Sequence, residues 1–204
     1  MNFGESMREF WDNRYDSDHY LFGTTPNAFL VSQQFRLHPG QHVLAVADGE
    51  GRNGAWLAAQ GLDVLSVDFS PIAQEKAKRL AGDLPVRFEL ADLTLWDWGT
   101  ERFDAIVAIF IQFAGKEARG KMFGEIKASL KPGGLLILEG YTPKQLEFRT
   151  GGPSQLENLY TEELLRESFS DFEILHLESR EAMVDEGEGH SGRSALIDLV
   201  ARKP

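Results

Sequence analysis

The sequence predicts an α/β fold: a doubly wound sheet of seven strands, mostly parallel with an antiparallel C-terminal strand, and helices on both faces. Three observations carry this. From residue 42 onward, apolar runs alternate with amphipathic stretches about five times, the pattern of a parallel sheet with crossover helices. The run Phe103–Phe110 (FDAIVAIF) is almost continuously apolar, as in a strand covered on both faces. The last two strands have no helix between them, so they must pair antiparallel, as a hairpin or across its long loop. The first strand–turn–helix–strand unit has a glycine-rich turn and a trailing acidic residue, which makes the fold Rossmann-like.

Each element has its own local reason. Phe3, Met7, Phe10 and Trp11 recur near helical spacing over residues 3–12. Asp16–Gly23 is aromatic and irregular, Asn27–Phe35 reads as a second helix, and Pro39-Gly40 turns the chain into the first strand. That strand is the apolar run Val43–Ala47, followed by Asp48-Gly49-Glu50-Gly51 and a helix from about Arg52. The second apolar run, through Val64, Leu65 and Val67, ends in Asp68. Ser70 caps the next helix, with Pro71 at its first position and its end near Ala81. Val86–Ala91 is a third strand ending at Asp92, and Phe103–Phe110 is the fourth. A helix from about Lys116 to Leu130 stops at Lys131-Pro132-Gly133-Gly134, and Leu135–Tyr141 is the fifth strand. Thr161 opens another helix, and strands at about Phe172–Met183 and Ser194–Arg202 flank an acidic, glycine-rich loop.

The chain of 204 residues suits one domain of ordinary globular composition. Its net charge of −11 repels a phosphate backbone on average. Lys76, Lys78 and Arg79 are the one basic cluster, and they read as the solvated face of a helix, so no nucleic-acid partner is expected. With no cysteine, thiolate nucleophiles and cysteine metal sites are excluded. His19, His38, His42 and His176 have no second ligand at metal spacing, so no metal is expected. The first twenty residues lack a signal-peptide apolar core and no run has membrane-spanning length, which predicts a cytoplasmic protein without a membrane partner, as monomer or homodimer.

Gly49-Glu50-Gly51-Arg52-Asn53-Gly54 fits G-x-G-x-x-G. Glycines let the backbone approach a ligand, the helix amino terminus offers free N–H groups, and Asp68 can accept bonds from both hydroxyls of a ribose. NAD and S-adenosylmethionine both present that ribose. Glu50 inside the turn disfavours a pyrophosphate and suits a sulfonium. Asp92 can accept from an adenine amino group, and the antiparallel ending fits methyltransferases better than dehydrogenases.

The pieces VLAVADGEGRN, VDFSP, ELADL, FDAIVAIF and LKPGGLLILEGYTP span about Val43 to Pro143. Together they resemble the class I S-adenosylmethionine-dependent methyltransferases. The opening WDNRY, the Gly151-Gly152-Pro153 turn and the closing EGEGHSGRSALIDLVARKP resemble the small bacterial tellurite-resistance and thiopurine methyltransferase-like group. The resemblance implies S-adenosylmethionine as cofactor. It places Gly49 and Gly51 against the methionine moiety and Asp68 on the ribose. Phe69 falls beside the adenine, with Asp92 and Leu93 at its amino group and ring. Ile109 and Phe110 line the methyl-transfer point. Trp11, Arg14, Tyr20 and Phe22 form a lid, giving one domain (1–204) made of a helical lid segment (1–38) and a Rossmann-like core (42–204). Ala45 and Ala47 stand where the family has an acidic residue and its first glycine, which leaves Asp48 as the carboxylate that could order the turn.

The expected reaction is methyl transfer to a small-molecule acceptor, favouring a thiol or a tellurium or selenium oxyanion, which needs little base. An oxygen acceptor needs one, and His190, Glu139 and Tyr141 at the sheet's carboxyl edge are the candidates. Ile109-Phe110-Ile111-Gln112 follows the fourth strand in place of an Asn-Pro-Pro-Tyr-like tetrapeptide, which disfavours DNA-base amino methylation. The alternatives are an NAD-dependent oxidoreductase and a non-catalytic S-adenosylmethionine-binding domain, the latter motivated by Ala45 and Ala47.

Overall fold

The computed structural model describes residues 3–204, with side chains from Met7 onward, so Phe3 of the predicted stripe lies outside the described side chains. In chain order the elements are α1 (Phe3–Tyr15), α2 (Ala28–Ser32), β1 (His42–Val46), α3 (Arg52–Ala59), β2 (Asp63–Asp68), α4 (Pro71–Ala81) and β3 (Val86–Leu90). Then come β4 (Phe103–Ile109), α5 (Lys116–Ser129), β5 (Leu130–Tyr141), α6 (Gln145–Phe148), α7 (Glu162–Ser168), β6 (Glu173–Asp185) and β7 (Ser191–Arg202). The strands form one seven-stranded sheet in the order β3-β2-β1-β4-β5-β7-β6. The first five are parallel, and β7 runs antiparallel to both β5 and β6.

Period-two alternation in the central strands divides the core between the two faces of the sheet. Leu44 and Val46 of β1 and Ile106 and Ala108 of β4 join one apolar cluster with Trp98, Phe123 and Phe169. Val43, Ala45, Ala105 and Val107 join the opposite cluster with Phe29, Leu57 and Leu62. An apolar residue at every position of these strands is thus required by two cores. The chain winds outward from β1 to β3 and returns to β4, so the strand order reverses between β1 and β4. A crevice opens there at the carboxyl ends, the expected place for a ligand in such a sheet.

Local signals fix several helix starts. The Ser70 hydroxyl accepts the Ala73 N–H at 3.1 Å with Pro71 at the first position, and Thr161 accepts the Leu164 N–H at 3.1 Å. The helix predicted over Asn27–Phe35 is shorter. Asn27 caps α2 by accepting the Leu30 N–H at 2.9 Å, and Gln33 leaves helical geometry (φ −95°, ψ 5°) before a 3₁₀ turn at Gln34–Arg36. The Lys131–Gly134 stop loops out within β5, where the pairing with β4 breaks register. The short helix α6 and a 3₁₀ turn at Leu156–Asn158 were not among the predicted elements.

Candidate active site

The site begins where β1 ends. Ala47 adopts the left-handed region (φ 48°), which a side chain at that position makes costly by about 1–2 kcal/mol. The Asp48 carboxylate accepts the Gly54 N–H at 3.2 Å and the Ser66 hydroxyl at 2.8 Å. The turn is therefore ordered from Asp48, and Ala45 is simply core. Burial pushes Asp48 up to about 7 despite those two bonds. Asp68 accepts the Gly49 N–H at 2.9 Å and the Ser70 N–H at 2.9 Å, and burial raises it to about 6.

Two motif residues face away from the crevice. A Cβ on Gly51 (φ 84°) would lie 2.6 Å from the Ala77 Cβ, so this glycine permits close packing of α3 on α4. Glu50 Oε1 lies 2.5 Å from Lys76 Nζ, and Glu50 Oε2 accepts the Phe22 N–H at 3.3 Å. Lys76 is buried, correcting its reading as part of a solvated face. Its ammonium also donates to the carbonyls of Tyr15 (3.1 Å) and His19 (2.5 Å). The Tyr20 hydroxyl donates to the Lys76 carbonyl at 3.1 Å, which holds Tyr20 against α4. The charge of Glu50 is thus neutralised inside the protein, and it no longer discriminates a sulfonium from a pyrophosphate.

A cavity of about 790 Å³ occupies the crevice. Of the predicted cofactor residues, Trp11, Phe22, Asp48, Gly49, Asn53, Asp68, Phe69, Asp92, Leu93, Ile109 and Phe110 line it; Arg14, Tyr20, Glu50 and Gly51 do not. Asp92 accepts the Thr94 N–H at 2.9 Å, which bends the chain so that Leu93 reaches the wall. Tyr15 and Arg52 line it without having been predicted. Tyr15 stacks on Trp11 (5.6 Å, 23°), and a Cβ on Gly49 would lie 2.9 Å from its hydroxyl. The aromatic WDNRY segment carried the signal for Tyr15, whose covering role the sequence leaves indistinguishable from core packing.

A second cavity of about 550 Å³ adjoins the first and shares Met7, Trp11, Phe22, Phe110, Phe113 and His190 as a common wall. Arg14, Tyr141 and Gly151–Gln155 line this second chamber. His190 is 8% exposed, with Phe22 and Phe110 rings 4.5 and 4.4 Å away. Its Nδ1 faces Glu186 at 3.8 Å, beyond hydrogen-bond reach. Burial holds His190 below the usual histidine range, opposed by the Glu186 charge. Glu186 itself is pinned by Arg52 at 2.6 Å, whose positive charge helps hold its carboxyl down at about 2 against burial. Tyr141 stacks on Phe110 (4.6 Å, 22°), and among the described residues its buried hydroxyl has no partner. Burial raises the Tyr141 hydroxyl above the ordinary tyrosine range.

Glu139 lines neither chamber. It pairs in register with Asp198 across β5 and β7, and Arg180 bridges the two at 2.8 and 2.5 Å. Asn27 donates to Glu139 at 2.5 Å and to Glu186 at 3.0 Å. Burial, reinforced by Asp198, pushes the Glu139 carboxyl well up. The cluster ties the N-terminal segment to the sheet and to the β6–β7 loop, so Glu139 acts as a structural clamp. Among the described residues, no group of three or more His, Asp or Glu is placed to hold a metal, and no helix is long and apolar enough to cross a membrane.

Comparison with known proteins bears on this geometry. Residues 43–134 match the model of the methyltransferase-domain family. That match covers the turn, Asp68, Asp92 and the Ile109–Phe110 wall. A demethylmenaquinone methyltransferase of Clavibacter sepedonicus is 39% identical over 106 residues, covering 51% of this chain and 43% of that protein. The chain thus spans about half the length of the curated methyltransferases it matches. Among solved structures, a protein described by the conversion of a disulfide bond into a thioacetal group during echinomycin biosynthesis superposes at a TM-score of 0.79. It shares 18% identity over 97% of this chain and 91% of that one. The N-methyltransferase NodS from Bradyrhizobium japonicum WM9, in complex with S-adenosyl-l-homocysteine, superposes at 0.74 with 13% identity over 97% and 98% of the two chains. The chain shares the fold of these proteins.

Proposed function

We propose that this chain transfers a methyl group from S-adenosylmethionine to a small organic acceptor. The observation that carries this reading is the pair of adjoining chambers with one shared aromatic wall. The larger chamber fits the donor. Gly49 lines it and admits the Tyr15 hydroxyl against the turn, and Asp68 offers a buried carboxylate to a ribose diol. Asp92 and Leu93 would flank the adenine, and Trp11 and Phe22, from the N-terminal lid segment (1–38), would cover the ligand over the core of 42–204. When bound, the donor supplies an electrophilic methyl group on a sulfonium.

The protein's part is positioning and water exclusion. Holding donor and acceptor in line is worth on the order of 7–11 kcal/mol of barrier. The shared wall of Trp11, Phe22, Phe110 and Phe113 keeps water from the transfer point. A tellurium or selenium oxyanion, as in the tellurite-resistance resemblance, leaves most of an aromatic chamber of 550 Å³ unfilled, so an organic acceptor is favoured over it. The methyltransferase-domain match supports this donor over a nicotinamide cofactor.

The test is ligand binding. S-adenosylhomocysteine is expected to raise the melting temperature and NADH to leave it unchanged. Asp68→Ala is expected to abolish S-adenosylhomocysteine binding in calorimetry, with circular dichroism reporting that the variant is folded. Unchanged affinity removes Asp68 from the site, and stabilisation by NADH alone overturns the reading.

A further inference from the structure

We infer that the acceptor is a planar aromatic hydroxyl compound, bound in the 550 Å³ chamber with its oxygen between the Tyr141 hydroxyl and the His190 imidazole. This rests on the methyl-transfer reading above and names its substrate class.

The walls select shape. Phe10, Trp11, Phe22, Phe110, Phe113 and Tyr141 surround the space, and Phe110 and Tyr141 lie nearly parallel. Flat aromatic faces gain most from a flat aromatic guest. Charge selects against amines. The chain has 32 acidic residues, yet among the described residues no carboxylate lines this chamber, and Arg14 is the one permanently charged side chain there. An ammonium group has no counter-charge there.

Polar atoms select the reacting group. A Cβ on Gly151 would lie 3.2 Å from the Tyr141 hydroxyl, 3.2 Å from His190 Cδ2 and 3.0 Å from the Gly189 carbonyl. Tyr141, His190 and the Gly189 carbonyl thus converge at residue 151, beside a gap that its missing side chain leaves open. Among the described residues the Tyr141 hydroxyl has no partner, so it is free to donate to an oxygen in that gap. His190 turns Nδ1 toward Glu186. That leaves Nε2, bonded to Cδ2, on the ring edge nearest the gap. Burial keeps the imidazole neutral at pH 7, ready to accept a proton. The charged and titratable groups around it are Glu186 from its own loop, Arg52 from α3, Arg14 from α1 and Tyr141 from β5.

The step balances. A lone pair on the acceptor oxygen forms the bond to the methyl carbon. The carbon–sulfur bond breaks with its electron pair going to sulfur, and the hydroxyl proton passes to His190 Nε2. The products are an aryl methyl ether and the neutral thioether, with the proton later lost from His190 to water. A thiolate needs neither the base nor the Tyr141 donor.

The experiment uses the full chain with 2-naphthol, 2-naphthalenethiol, 2-naphthylamine and tellurite as probes. Turnover with S-adenosylmethionine is read by mass spectrometry, and binding to the S-adenosylhomocysteine complex by calorimetry. 2-Naphthol is expected to be methylated on oxygen at least tenfold more efficiently than the amine or tellurite. Tyr141→Phe is expected to slow 2-naphthol about tenfold and leave the thiol within twofold. Gly151→Ala is expected to weaken 2-naphthol binding at least tenfold, with S-adenosylhomocysteine affinity within twofold. A preference for the amine or tellurite, no methylation of 2-naphthol, or a Tyr141→Phe loss shared equally by the thiol overturns the acceptor class. Unchanged 2-naphthol binding in Gly151→Ala overturns its location. A wild-type chain that binds no S-adenosylhomocysteine overturns the methyl-transfer reading instead.

Discussion

Lys76 Nζ lies 2.5 Å from Glu50 Oε1, with each side chain 2% exposed, so a cation from α4 is buried against the carboxylate of the glycine-rich turn. The same ammonium holds the carbonyls of Tyr15 and His19, so one residue joins the turn, α1 and the segment that follows it. Removing one partner of a buried pair strands the other charge, typically at a cost of about 3–5 kcal/mol. Lys76→Met is therefore expected to lose about that much in urea unfolding. Adding Glu50→Gln is expected to return most of the loss, because the stranded charge is gone. A single variant within about 1 kcal/mol of the parent would mean that the pair contributes nothing.

Ala47 supplies a second prediction. Its φ of 48° belongs to glycine, and it lines the larger chamber. Ala47→Gly removes the left-handed penalty but adds chain entropy to the unfolded state. The first effect is the larger, so the variant is expected to be more stable by about 0.5–1 kcal/mol, read as a higher urea midpoint. S-adenosylhomocysteine is expected to bind at least as well, since the cradle only gains room. A lower midpoint would show that the Ala47 methyl contributes packing that outweighs its strain.

Legibility in the sequence followed the range of the interaction. Ser70-Pro71, Thr161 and the FDAIVAIF run act locally, and the caps and the doubly buried strand stand where they were expected. Asp48 was also readable, because it orders the turn from two residues beyond the strand end. Lys76 was not, because its partner is 26 positions away and the spacing of Lys76, Lys78 and Arg79 is equally that of a solvated face. Glu139 shares the strand end and the face of Tyr141, yet it is engaged by Asp198 and Arg180, neighbours on other strands 59 and 41 positions away that no local pattern shows. His190 gave no local signal of burial. Its environment is assembled from Phe22, Phe110 and Tyr141, three segments far apart in the chain.

Asp48 makes stability depend on pH with a definite sign. Its usual value of 3.8 is raised to about 7 by burial, and Asp68 moves from 3.8 to about 6 for the same reason. A raised carboxyl pKa means that the native state keeps a proton that the unfolded chain has already released. This contribution to stability is complete below about pH 4 and is lost as pH rises through about 6 to 7. The ligand-free protein is therefore expected to lose stability across that window, by an amount on the order of a few kcal/mol. Asp48→Asn keeps an oxygen to accept the Gly54 N–H, and its amide can donate to the Ser66 hydroxyl, while the titrating group is gone. Urea midpoints between pH 4 and 8 are expected to fall less steeply for Asp48→Asn than for the parent, leaving the share due to Asp68. Parallel curves would mean that Asp48 is already ionised throughout, and that the turn tolerates a buried anion without cost.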